Sequence, residues 1–140
     1  MTDLLLTLIL LLGTNMGTGE NIPLPDSETF NGHTSTVEVD VLCHTLLPEH
    51  ERRDCQRVSL CESGSNPDAI GVNANGTRDL GAWQHHEPLI QGRLNAIGIP
   101  DGDPFDVTVN ALMTQYLWGA LGGRFGTSAG WYCAPVVGAR

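Results

Sequence analysis

Four cysteines, Cys43, Cys55, Cys61 and Cys133, constrain this chain more than any other feature. An even number of cysteines in a small exported domain implies two disulfides, and three pairings are open. No two stand in a Cys-x-x-Cys spacing, so a zinc ribbon is excluded. Two bridges would staple a short chain whose core is modest: 41% of its 140 residues are apolar. That length suits one domain.

An exporting segment is readable at the front. Residues 1–19 contain the nine-residue run Leu4–Leu12, apolar apart from Thr7. Crossing a bilayer needs about 20 apolar residues, so this run fits the apolar core of a signal peptide. Asp3 precedes it where a basic residue is usual, and Gly17 to Gly19 is the candidate cleavage region. A weakly anchoring, uncleaved N-terminus is the alternative. Residues 20–36 are rich in Pro, Thr, Ser and Asp and read as a linker. The folded domain is therefore expected over 37–140, in a secreted or envelope protein.

The chain carries a net charge of −9, and all seven of its basic residues are arginine. Phosphate backbones need a positive face, so nucleic acid is not an expected partner.

Patterning predicts a mainly α fold with a small β excursion. A helix is expected from Val37 to Leu47 and a better one from Glu49 to Glu62, stopped by Ser63-Gly64. Asn66-Pro67-Asp68 is a turn. Asn75-Gly76 marks a hairpin or irregular loop between Ile70 and Trp83. Glu87 to Ile97 reads as a helix with Leu89, Ile90, Leu94 and Ile97 on its buried face. Asp103-Pro104 reads as the start of another, running to Leu121 and burying Val107, Ala111, Leu112, Tyr116 and Leu117. A glycine-rich loop over 119–130 leads to Trp131-Tyr132-Cys133.

Two carboxylates in the central stretch, Glu62 and Asp79, lie seventeen positions apart. Glu62 falls in a last helical turn, where the helix dipole disfavours a carboxylate. On position alone it reads as a surface glutamate. Asp79 reads as a turn residue, capping Gly81 or paired with Arg78. Two adjacent histidines, His85 and His86, have no third ligand in the pattern, and His86-Glu87 is not followed by the second histidine of a zinc-protease motif. No metal is expected.

The run Glu62-Ser63-Gly64-Ser65-Asn66-Pro67-Asp68-Ala69 resembles the Glu-Ser-Gly-x-Asn-Pro-x-Ala motif of lysozyme-like lytic transglycosylases. Gly81-Ala82-Trp83-Gln84 resembles the Gly-Leu-Met/Phe-Gln turn that follows it there. Asn75-Gly76-Thr77-Arg78-Asp79-Leu80-Gly81 is similar to a run in animal-type lysozymes, in which Asp79 falls at the second carboxylate. Asp103-Pro104 to Asn110 and Tyr116-Leu117 resemble a helix of small secreted actinobacterial or phage members. The resemblance is close over the motif and loose over 43–135.

What it implies is specific. The fold would be α+β and lysozyme-like, with the β-hairpin or loop lining a glycan cleft. The activity would be cleavage of the β-1,4 bond between N-acetylmuramic acid and N-acetylglucosamine, with Glu62 as general acid and then base. A hydrolase would add Asp79 to stabilise or trap the glycosyl cation. A glycan-binding or envelope-structural module that kept only the fold is a third expectation, and the acidic charge suits it. Ser63, Gly81, Trp83, Gln84, Tyr116 and Trp131 would bind substrate, although Trp83, Tyr116 and Trp131 taken as residues read first as core. The family's pairing would be Cys61–Cys133, leaving Cys43–Cys55. The partner would be peptidoglycan, acted on by a monomer without a cofactor, and the protein would be virion-associated if phage-encoded.

Overall fold

The computed structural model describes residues 34–126 and 130–139. The expected leader over 1–19 and most of the linker lie outside the described residues. Among the described residues five helices and three short strands follow in order. They are α1 (Thr34–Leu46), α2 (Glu49–Ser63), β1 (Ile70–Val72), β2 (Arg78–Leu80), β3 (His85–His86), α3 (Glu87–Ala96), α4 (Val107–Ala120) and α5 (Cys133–Val136). The architecture is α+β and mainly helical.

The helices form where the apolar spacing demands. Val39 and Cys43 in α1, and Leu47 just after it, recur every four residues and all are buried. The helix begins at Thr34, so the expected linker ends three residues earlier than its composition suggests. Thr34-Ser35-Thr36 are residue types favoured at helix starts as well as in linkers. Pro48 then separates α1 from α2, which ends at Gly64 with φ +68. Reversed hydrogen bonds from Gly64 N to Leu60 O (2.9 Å) and Ser65 N to Ser59 O (3.2 Å) close that end.

The strands make one antiparallel sheet in the order β1-β2-β3, with Gly71 opposite Asp79 and Asp79 opposite His86. α4 packs against α1, α3 and β3. Ala111 faces a core of Val39, Cys43, Val58, Trp83, Phe125 and Trp131, and Met113 faces a smaller one with Leu80, Ile90 and Leu94.

Three helical expectations need correction. α4 starts at Val107, because Asp106 is the cap: its Oδ1 accepts from Thr108 N (2.8 Å) and Val109 N (3.0 Å). Asp103 Oδ1 accepts from Phe105 N (2.9 Å) and its backbone O from Asp106 N (3.1 Å), which makes 103–106 a turn. Tyr116 is 42% exposed rather than buried, since α4 turns Ala111, Met113 and Thr114 inward. Leu89 is likewise exposed, α3 burying Ile90 and Leu94 instead.

Candidate active site

Both disulfides are formed, Cys43–Cys55 and Cys61–Cys133. The second ties the last turn of α2 to the first residue of α5 across 72 positions of sequence. Glu62 is the next residue after Cys61, and its Oε1 accepts from Cys133 N at 2.8 Å. The carboxylate therefore satisfies a backbone donor that the start of α5 would otherwise leave open. Its pKa is raised above the ordinary 4.5. Burial is the main cause, and the charge of Asp79 adds to it. The Cys133 and Tyr132 backbone N–H groups pull the other way and do not prevail.

Asp79 sits on β2 and is held on both oxygens. Asn73 Nδ2 donates to Oδ2 (3.0 Å), and His86 Nδ1 lies 2.8 Å from Oδ1. A carboxylate oxygen accepts, so Nδ1 of His86 carries the proton in this contact. Neither role expected from position applies: Arg78 pairs with Glu87, and Gly81 N donates to Ala69 O (2.9 Å). The sheet register puts Asp79 beside His86, while the Asn75-Gly76 turn returns Asn73 to it.

The Gly-Ala-Trp-Gln turn binds the end of α2. Ser63 Oγ donates to Ala82 O (2.7 Å), as does Ser59 Oγ (3.1 Å). Ser63 thus fixes the helix end to the turn. Gln84 adopts φ +51, unusual for a residue with a side chain. Its Nε2 donates to Gly81 O (2.8 Å) and Ala69 O (3.2 Å), and a Cβ on Gly71 would come within 2.5 Å of its Oε1. Gln84 and Ser63 are half-buried and position backbone.

Three expected substrate contacts are instead core. Trp83 is fully buried, with Nε1 donating to Cys55 O (3.2 Å). Its ring fills the space between α1, α2 and α4, so it cannot stack on a sugar. Trp131 is also buried and packs on Phe125 with ring centroids 4.7 Å apart. Gly81 is buried at φ +81, and a Cβ there would lie 2.2 Å from Asn110 Nδ2. Tyr116 is solvent-exposed and lines an open groove with Ile97, Leu112, Gln115, Gly119 and Ala120.

Sequence reasoning named Asn110 and His85 but gave neither its bracing role at this site. Asn110 on α4 is fully buried: its Oδ1 accepts from Trp83 N (3.0 Å), and its Nδ2 donates to Leu80 O (3.1 Å) and Pro104 O (2.8 Å). His85 is buried beside it, its pKa lowered to about 3 by burial and then by the neighbouring Arg93. Among the described residues no group of three His, Cys, Asp or Glu side chains is placed to hold a metal, and no helix is long and apolar enough to cross a membrane. Comparison with protein-family models, with curated proteins and with solved structures returns no match.

Proposed function

We propose that this protein is an exported lysozyme-like lytic transglycosylase that cleaves the β-1,4 bond between N-acetylmuramic acid and N-acetylglucosamine, with Glu62 as general acid and then base. The observation that carries this reading is the state of Glu62. It is a half-buried carboxyl, fixed by a backbone donor from across the fold, whose pKa burial and Asp79 raise together. A glycosidase acid must hold a proton near neutral pH, and burial and a neighbouring carboxylate both act in that direction. The two disulfides suit an extracytoplasmic setting.

In this mechanism Glu62 gives its proton to the glycosidic oxygen as the C1–O bond breaks. The ionised Glu62 then takes the proton of the muramyl 6-hydroxyl, whose oxygen bonds to C1. The product is a 1,6-anhydro end, and Glu62 is protonated again. No cofactor takes part, and a monomer acting on peptidoglycan strands suffices.

A second reading, a muramidase hydrolase, is favoured by one observation: Asp79 lies near enough to Glu62 to raise its pKa, and both its oxygens are held in place. There Asp79 would stabilise or capture the glycosyl cation, and water would complete hydrolysis. Mass analysis of digested peptidoglycan separates the two. Anhydro-muramyl ends, lighter by one water, mark the transglycosylase and reducing ends the hydrolase. In the first case Asp79→Asn is expected to lower activity less than tenfold, in the second by at least about a hundredfold. Strand binding with no product of either kind would overturn both readings in favour of a glycan-binding module.

A further inference from the structure

In a chain of net charge −9, the half-buried Arg93 has no carboxylate partner among the described residues. Arg93 lies in the last turn of α3. Among the described residues no carboxylate oxygen comes within 4.0 Å of its guanidinium. Its side-chain hydrogen bond runs from Nη1 to Nδ1 of His85. Arginine can only donate, so Nδ1 accepts and the His85 proton sits on Nε2. That Nε2 lies 3.0 Å from Asn110 O and 2.9 Å from Thr114 Oγ1, both able to accept. The imidazole is thus fixed from both sides and neutral, with its pKa near 3.

A neutral acceptor orients a guanidinium without cancelling its charge. Of the five N–H donors of Arg93, one is used and the fork keeps the rest. Burial works against the charge, while the Asp79 carboxylate favours it, and Tyr116 lies close by. Ile97, one turn on from Arg93 and just past the end of α3, lines with Tyr116 the open groove of about 540 Å³. Arg93 therefore stands between the Asp79 side of the site and an apolar groove.

We propose that Arg93 anchors a carboxylate of the ligand at the mouth of the Ile97–Tyr116 groove. Resting on the reading above, the carboxylate belongs to the muramyl unit. It is either the free lactyl carboxylate of a peptide-stripped strand or a carboxylate of an attached peptide. A bidentate fork suits either source, and the groove offers apolar surface to what the carboxylate is joined to.

The test compares acid and amide forms of two probes by calorimetric titration of the whole protein. N-acetylmuramic acid represents the first source and muramyl dipeptide the second, each against its carboxamide. At least one acid is expected to bind about tenfold or more tightly than its amide, and which one does names the source. Arg93→Gln removes the preference and Arg93→Lys retains part of it. Should Arg93→Gln fail to fold, the Arg93 Nε–H resonance of the unaltered protein is expected to shift with the acid and not with the amide. Equal affinity for acid and amide, an unmoved resonance or no binding of any probe overturns the proposal. Glycan cleavage with no acid preference sinks the carboxylate site alone. Acid preference without cleavage, unchanged by Glu62→Gln, sinks the enzyme reading alone.

Discussion

Glu62 serves two ends at once, accepting the first free backbone donor of α5 and holding a raised pKa. The two separate under mutation. In Glu62→Gln the amide oxygen can still accept from Cys133 N, so the fold should persist while glycan cleavage falls by at least about a thousandfold. The pH sign follows from the shift. Because the folded pKa lies above the ordinary 4.5, the native state binds more protons from there up to its own pKa. Stability contributed by Glu62 is complete below 4.5 and is lost as pH rises through the folded value. Thermal melts across pH should therefore show wild type losing ground to Glu62→Gln as pH rises. His85 acts with the opposite sign. Its unfolded pKa of 6.5 exceeds the folded value of about 3, so its contribution is full above 6.5 and declines toward 3. Urea titrations should find a loss of at most roughly 1.4 kcal/mol per pH unit from this group in that window. Gly81 is a steric case. A Cβ at φ +81 would meet Asn110 at 2.2 Å and Pro104 O at 2.9 Å. Gly81→Ala should cost roughly 3 kcal/mol in chemical denaturation, from left-handed strain plus displaced buried hydrogen bonds.

Among elements, α2 and α5 are the pair that makes the site. α5 is a single turn with little reason to be stable alone, and Cys61–Cys133 holds it against the end of α2. In the chain-entropy model a 72-residue loop is worth about 4.4 kcal/mol and the 12-residue loop of Cys43–Cys55 about 2.8. Replacing Cys61 and Cys133 by serine should lower stability more than replacing the other pair. It should also reduce cleavage per folded molecule, since Glu62 would lose its fixed donor. Melting curves paired with the product assay would check both. The helices were largely legible from apolar spacing: α1 and α2 show their buried positions at intervals of three and four, and Gly64 ends α2 as glycine after a helix does. α4 was displaced at its start because Asp103-Pro104 and Asp106-Val107 are both competent caps. The choice fell to Asp106, from which Asn110 and Ala111 reach the core.

At the scale of the molecule, two apolar clusters meet along α4, and the Gly-Ala-Trp-Gln turn is pressed between α2 and α4 by Ser63, Ser59 and Asn110. That arrangement explains why Trp83 and Trp131 are core while Tyr116 faces water. Local pattern marks an aromatic residue as apolar, but which side of it meets another element depends on how helices pack. Local chemistry is enough to settle which segments are helical, where glycine must stop them, that a tight turn falls at Asn75-Gly76, and which glutamate stands oddly at a helix end. Each of these follows from residues within a few positions of one another. Packing alone brings Cys133 N to Glu62, Asp79 to the same site, and Arg93 to a neutral His85, because those partners lie 71, 17 and 8 positions apart. A pKa is likewise a property of surroundings. Glu62 is an ordinary glutamate in the sequence, and its pKa rises only once the fold half-buries it and sets Asp79 nearby.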